Sequence, residues 1–335
     1  MKTVIVIAML QQSGTARALA ACAVLAVPLG LAACSGDAER AAPQGACPVP
    51  PVDVVVSVDQ WGDLVSQLGG DCAHVTTVLA SSAVDPHDYE PTPADAAEFQ
   101  GAQLVVINGG HYDEWAAKLA ASTAPDAPVV EALGTEAHGT EEHGTEEHGD
   151  HDHGDHDHGT NPHAWYDPAA VRAVADAVRD RLRTLAPDAA GYFDERRSAL
   201  TTALEPYDDL IESIRAGAAQ KTYAATETVF DDMAAALGLT NRTPPGYQVA
   251  SANESEPSPA DLDAFIRLLG DRGVDVLIYN VQTEGSVPQQ IRAAAEQAGV
   301  PVVEVTETVP PGTDSFVTWQ VDQLTALAEA LGVRT

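Results

Sequence analysis

The sequence predicts an α/β protein of two similar lobes, each built on a parallel sheet flanked by helices, with a long helix joining them. Three observations lead there. Short β-branched runs alternate with amphipathic Ala/Leu-rich stretches, the pattern of repeated βα units on parallel sheets. The alternation occurs twice, over residues 52–131 and again over 222–331. Between the two series, residues 168–185 and 188–216 carry apolar residues at helical spacing among many Arg, Asp and Glu, with Pro187 as the one break.

In chain order, the valine-rich run 52–58 is the first strand and 60–68 the first helix. Strand 75–79 follows, then a helix over 93–100, which opens on Pro93, a residue tolerated in a first helical turn. Strand 104–108, helix 113–121 and strand 128–131 complete the first series. In the second, strands are expected at 222–226, 248–251, 274–279 and 302–305, with helices at 230–237, 259–270, 287–298 and 314–331. The expected organisation is a signal peptide over 1–33, a leash over 34–51, an N-terminal lobe over 52–186, a linking helix over 187–216 and a C-terminal lobe over 217–335. A hydrophobic content of 45% is enough for two such domains.

At the N-terminus, Lys2 and Arg17 precede an apolar run over 18–33, as in a secretory signal. It ends in Leu31-Ala32-Ala33-Cys34, small residues before a cysteine, which resembles the lipobox of bacterial lipoproteins. Cys34 is then the lipidated first residue of the mature chain, and no later run is apolar for long enough to span a bilayer. Cys22 leaves with the signal, so Cys47 and Cys72 remain in an oxidising compartment, where two thiols tend to pair. They precede the first two strands. If those strands are parallel neighbours, their entrances lie close together, and a disulfide is predicted to pin the leash to the domain.

The formal net charge is −33 at pH 7, and loss of residues 1–33 takes away two positive charges and no negative ones. Such a balance excludes a nucleic-acid partner and favours cations. Five pentapeptide repeats run from Thr135 to Gly159, TEAHG TEEHG TEEHG DHDHG DHDHG. They hold seven of the eleven histidines: His138, His143, His148, His151, His153, His156 and His158. Imidazole suits zinc, copper and nickel, and the repeats contain nothing to bury, so residues 135–160 read as a solvated loop that captures metal weakly.

A defined site is sought beyond the carboxyl ends of the strands, where open parallel sheets bind ligands. Four such places offer metal-binding groups: His87 in Asp85-Pro86-His87-Asp88-Tyr89-Glu90-Pro91, His163 in Asn161-Pro162-His163-Ala164-Trp165-Tyr166-Asp167-Pro168, Glu227 in Thr226-Glu227-Thr228, and Glu307 in Thr306-Glu307-Thr308. Taken singly, each fits a structural role as well, the glutamates as helix caps. Their common place in the βα pattern beside a His-rich insertion favours a metal site between the lobes. His111 follows the third strand on the cleft side and is expected to support the site or lie on the surface. His74, at the amino end of its strand, is at the wrong end of the sheet.

The lipobox, DPHDYEPTP, the His-rich insertion followed by NPHAWYDP, the run ATETVF leading to ALGL, and NESEPS before a helix together resemble the metal-binding lipoproteins of zinc and manganese ABC importers. The similarity runs from about Asp53 to the end of the chain. It implies a solute-binding protein, not an enzyme, whose lobes are bridged by a rigid backbone helix. Such a protein clasps one divalent ion, Zn2+ or Mn2+, and hands it to a membrane permease driven by a cytoplasmic ATPase. It works as a monomer tethered by its lipid to the outer face of the cytoplasmic membrane. His87 and His163 match the family's first two ligands, and Glu227 stands at the third, which is histidine in zinc-type members and glutamate in many manganese-type ones. Glu307 falls at the fourth, commonly aspartate.

Two clues to the metal disagree. Two imidazoles and two carboxylates supply up to six donor atoms if the carboxylates chelate, which suits manganese, whereas zinc takes four as a tetrahedron. The His-rich insertion, with its additional weak Zn2+ sites, tips the expectation to zinc and leaves manganese open. A secreted zinc buffer or metallochaperone not coupled to a permease shares every ligand. A metal-dependent hydrolase would need an open coordination position and a general base, and the chain contains no HExxH, GxSxG or phosphate-loop motif.

Overall fold

Two four-stranded, wholly parallel sheets with the same strand order organise the chain. The computed structural model describes residues 46–80, 89–134, 161–253, 255–283 and 285–334. The signal segment, Cys34, His87 and the seven repeat histidines lie outside the described residues.

The N-terminal sheet comprises β1 (Val52–Val58), β2 (Ala73–Leu79), β3 (Leu104–Ile107) and β4 (Val129–Glu131), in the order β2-β1-β3-β4. Helices α1 (Asp59–Gly69), α2 (Pro93–Glu98) and α3 (Glu114–Thr123) connect them. The valine run of β1 is buried at six of its seven positions, as a central strand covered on both faces requires. Cys47 and Cys72 form a disulfide with Cα atoms 5.0 Å apart. It lies at the amino ends of β1 and β2, which are parallel neighbours in the register Val52 opposite Ala73.

The C-terminal sheet repeats the plan with β5 (Thr222–Ala225), β6 (Thr240–Asn241), β7 (Val276–Asn280) and β8 (Val302–Val305), ordered β6-β5-β7-β8. Its helices are α7 (Asp231–Ala236), α8 (Pro245–Ala252), α9 (Pro259–Gly270), α10 (Ser286–Ala298) and α11 (Phe316–Leu331). The strand expected at 248–251 is instead the end of α8. Pro245, tolerated in a first helical turn, opens that helix, and the true edge strand is only two residues long, too short to carry a period-two signal. Along β7, Val276 and Ile278 face one apolar core while Leu277 faces a second, formed with Tyr247, Phe265, Leu269 and Ile291 on the other side of the sheet.

Between the sheets run α4 (Pro168–Leu185), α5 (Ala190–Ala203) and α6 (Glu205–Gly217). Helix α4 buries Val171, Val174, Ala175, Val178 and Leu182 at three- and four-residue spacing. The stretch expected as one linking helix over 187–216 starts as a 3-10 turn over Pro187–Ala189. It then continues helically from Ala190 to Gly217 with an interruption at Leu204. Pro206, which lacks an N–H, accounts for that break. Helix α5 closes the end of α1: the Asp71 N–H donates to Tyr192 Oη at 2.8 Å and Arg196 Nε to the Gln67 carbonyl at 2.6 Å. Gly70, at φ 49°, permits that approach, since a Cβ there would stand 2.3 Å from Tyr192 Oη. Among the described residues no helix is long and apolar enough to cross a membrane.

Candidate metal centre

In both sheets the strand order reverses between the two central strands, and the crevice beyond their carboxyl ends is where such sheets bind ligands. In the C-terminal lobe, Glu227 follows β5, Asn280 ends β7, and Glu307 follows β8. The three side chains meet. Asn280 Nδ2 donates to Glu227 Oε2 at 2.5 Å and to Glu307 Oε1 at 2.7 Å, so one amide group spans both carboxylates. Its N–H donates to Thr226 Oγ1 at 3.1 Å, which locks β7 to the end of β5.

The loop carrying Glu307 is held from both lobes. Gln282 Oε1 accepts from the Glu307 N–H at 2.7 Å and the Thr308 N–H at 3.0 Å. From the N-terminal lobe, Gln60 Nε2 donates to the Glu307 carbonyl at 2.9 Å and to Tyr112 Oη at 2.8 Å.

His163 reaches the same place from the segment before α4. Its side chain is only 8% exposed, and Nε2 stands 3.9 Å from Glu307 Oε2. Nδ1 lies 2.7 Å from Asn161 Oδ1, the pairing that places the ring proton on Nδ1 and the lone pair on Nε2. Asn161 Nδ2 in turn donates to the Thr228 carbonyl and Asp232 Oδ2 of the C-terminal lobe, at 3.2 and 2.9 Å. Trp165 packs edge-on against the ring at 5.4 Å between centroids, which fixes its plane. Burial pushes Asp232 up to about 6, helped by repulsion from Asp167 and Asp231, while the Asn161 hydrogen bond pulls the other way.

The structure thus brings together three of the four expected ligands, His163, Glu227 and Glu307, while His87 lies outside the described residues. The described three are joined through Asn280 rather than drawn tight about one point. Among the described residues no group of three His, Cys, Asp or Glu side chains is gathered closely enough to hold a metal. His111 does not join them: its side chain is 89% exposed and it pairs with Glu114 on the surface. His74 is exposed at the start of β2. An imidazole nitrogen beside carboxylate oxygens suits a divalent transition metal.

The family described as the periplasmic component A of the zinc-uptake complex, ZnuA, matches residues 54–330. The chain belongs to the ZnuA family. This is a family of zinc- and manganese-binding solute-binding proteins of ABC importers. The chain is 26% identical over 262 residues, 78% of its own length and 78% of the relative's, to the high-affinity zinc uptake system protein ZnuA of Bacillus subtilis. It is 25% identical over 158 residues to the manganese-binding lipoprotein MntA of Halalkalibacterium halodurans, covering 47% of this chain and 48% of that one. It therefore spans about half the length of that manganese-binding relative. Its fold is similar to that of the periplasmic zinc-binding protein TroA from Treponema pallidum, with a TM-score of 0.67 at 18% identity over 85% of this chain and 100% of the other. That likeness covers both lobes of this ZnuA-family chain.

Sequence reasoning did not assign roles to Asn161, Asn280, Gln282 or Gln60. The one signal for Asn280 is a polar residue closing the buried apolar strand VLIYN, and for Asn161 its place two residues before a candidate ligand.

Proposed function

We propose that this ZnuA-family protein captures one divalent transition metal between its lobes, zinc ahead of manganese, and delivers it to an ABC permease. His87, His163, Glu227 and Glu307 are the ligands of this reading. The observation that carries it is the convergence of Glu227 and Glu307 on Asn280, with His163 Nε2 3.9 Å from Glu307 Oε2 and its other nitrogen held by Asn161. Two half-buried carboxylates and a buried imidazole held by Asn161 are the kind of ligands and supporting partner that metal sites use. The histidines of residues 135–159 act as an accessory antenna that raises local zinc concentration. Cys34, lipidated, tethers the protein to the outer face of the membrane, where a monomer meets the permease and, through it, the ATPase.

The test is uptake of radioactive zinc by cells whose own copy is replaced by the wild-type chain or by Glu307→Ala. The proposal expects wild-type cells to accumulate zinc under depletion and the variant to lose high-affinity uptake. Equal uptake in the two would exclude delivery through this site.

A further inference from the structure

Glu307 is gripped by its two backbone groups from opposite lobes. Its N–H donates to Gln282 Oε1 at 2.7 Å, in the loop after β7, and its carbonyl accepts from Gln60 Nε2 at 2.9 Å, in the first turn of α1. The orientation of the Gln60 amide is fixed, because a carbonyl only accepts and the nitrogen must therefore face it. The same nitrogen donates to Tyr112 Oη at 2.8 Å, and the Tyr112 ring packs against Trp165 and His163 at 4.9 and 6.2 Å between centroids. One amide thus touches the peptide of one proposed ligand and the aromatic shelf beside another.

Two neighbours on α1 extend the grip along the same loop. Asp59 accepts from the Val309 N–H. Asp63 Oδ2, one turn further on, accepts at 2.9 Å from the Phe316 N–H, in the first turn of α11, where a helix has no carbonyl of its own to offer. Helix α1 therefore holds the segment from Glu307 to Phe316 at three points, and the Gln60 bond is the one at Glu307 itself. Gln60 is fully buried, and its Oε1 has no hydrogen-bond partner. An amide buried with one end unpaired costs stability that an apolar side chain of the same length would not. Packing alone does not call for a glutamine here, whereas the placement of Glu307 does.

We infer that Gln60 positions Glu307 from the opposite lobe and so sets how fast the site releases its metal. The inference rests on Glu307 being a ligand, as in the proposed function. With the Glu307 N–H tied to one lobe and its carbonyl to the other, a change in the spacing of the lobes breaks one of these bonds or carries the ligand with it. Gln60 acts through Glu307 and is a positioning residue. Removing its bond takes away this hold on the Glu307 peptide, and with it the placement of the carboxylate 3.9 Å from His163 Nε2.

The experiment loads the full chain with one equivalent of Zn2+ and follows its transfer to an excess of a chromophoric chelator by stopped flow. Wild type, Gln60→Met, Glu307→Ala and the double variant are compared, with thermal unfolding of each metal-free protein. Methionine keeps the length of the side chain and removes both the donor and the unpaired oxygen. Zinc held weakly by the repeats leaves in a fast phase, so the slow phase reports the cleft. The expected result is a slow phase roughly tenfold faster in Gln60→Met, the lower end of what partners supporting a metal ligand contribute. Gln60→Met should add nothing further once Glu307 is replaced by alanine. A purely structural role would lower the unfolding temperature and leave the slow phase at the wild-type rate, and that result overturns the inference. An equal acceleration in the Glu307→Ala background overturns it too, by placing the effect in the packing of the lobes at large. Should Gln60→Met fail to fold, Gln60→Ser carries the same comparison. Glu307→Ala alone separates the inference from the reading beneath it. If it releases zinc as slowly as wild type, Glu307 is no ligand and both fall; if it releases zinc fast while Gln60→Met matches wild type, only the role of Gln60 is wrong.

Discussion

Asn161 accepts the Nδ1 proton of His163 at 2.7 Å and, with its own amide nitrogen, grips the Thr228 carbonyl of the opposite lobe. One side chain therefore orients the ring and ties it to the strand-end loop that carries Glu227. Partners of this kind typically contribute 10- to 100-fold to metal affinity. Asn161→Ala is expected to weaken zinc binding by about that factor in a competition titration while leaving one site per chain. An unchanged affinity would show that Trp165 and the backbone suffice to hold the ring.

The Cys47–Cys72 disulfide closes a loop with a sequence separation of 25 at the amino ends of the strands, whereas the proposed site lies beyond their carboxyl ends. Removing it with a Cys47→Ser, Cys72→Ser double variant should cost about 3 kcal/mol of unfolding free energy, the scale for a loop of this size. Zinc affinity should remain within about twofold, because the strands themselves are held by their own ladder. Denaturant unfolding and titration of the same sample read both quantities.

Tyr166 is fully buried, and its hydroxyl lies 2.7 Å from both the Thr306 carbonyl and Gln323 Oε1, joining the segment before α4 to the loop after β8. Trp319 Nε1 donates to Thr306 Oγ1 at 2.8 Å on the same loop. Tyr166→Phe leaves the half-buried Thr306 carbonyl without this donor, and the expected loss is about 1 kcal/mol in denaturant unfolding. A neutral result would mean that the remaining bonds absorb the change.

Asp59, at the start of α1, keeps one buried carboxylate oxygen without a hydrogen-bond partner, and burial pushes its pKa up to about 6, against the pull of the Val309 N–H from the other lobe. The unfolded chain releases this proton near pH 4. Between about pH 4 and 6 the folded state therefore holds a proton that the unfolded state has lost, and the contribution of Asp59 to stability falls as pH rises through that window. Asp59→Asn should flatten this part of the stability profile and raise stability above pH 7 by about 2 kcal/mol. Unfolding of the metal-free protein from pH 4 to 8 isolates the Asp59 contribution.

Most of the architecture was legible from periodicity because its strands are long enough to show it. The valine run of β1 and the spacing of Val171, Val174, Val178 and Leu182 on α4 leave little choice of structure. Strand β6 was not legible, since two residues carry no pattern, and the Gln-Val-Ala-Ser run that resembled a strand is helical behind Pro244 and Pro245. Chemical type drew attention to Glu227 and Glu307 at strand ends, and both side chains accept from Asn280. What joins them was hidden, because an asparagine at the end of an apolar strand reads as an ordinary strand terminus until three chain segments are brought together in space. The linking stretch shows the same limit on a smaller scale: its helical spacing was clear, while the break at Leu204 follows from the missing N–H of Pro206.

On the proposed function, tight metal binding belongs to the cleft between the lobes and not to the His-rich repeats. Zinc and manganese stoichiometry and competitive affinity, measured on the chain lacking residues 135–159 and on the full chain carrying His163→Ala, test it most directly. The expected result is one tight zinc equivalent retained after the deletion, and only weak zinc left after His163→Ala. Loss of tight binding on deleting the repeats, with its retention in His163→Ala, would contradict it.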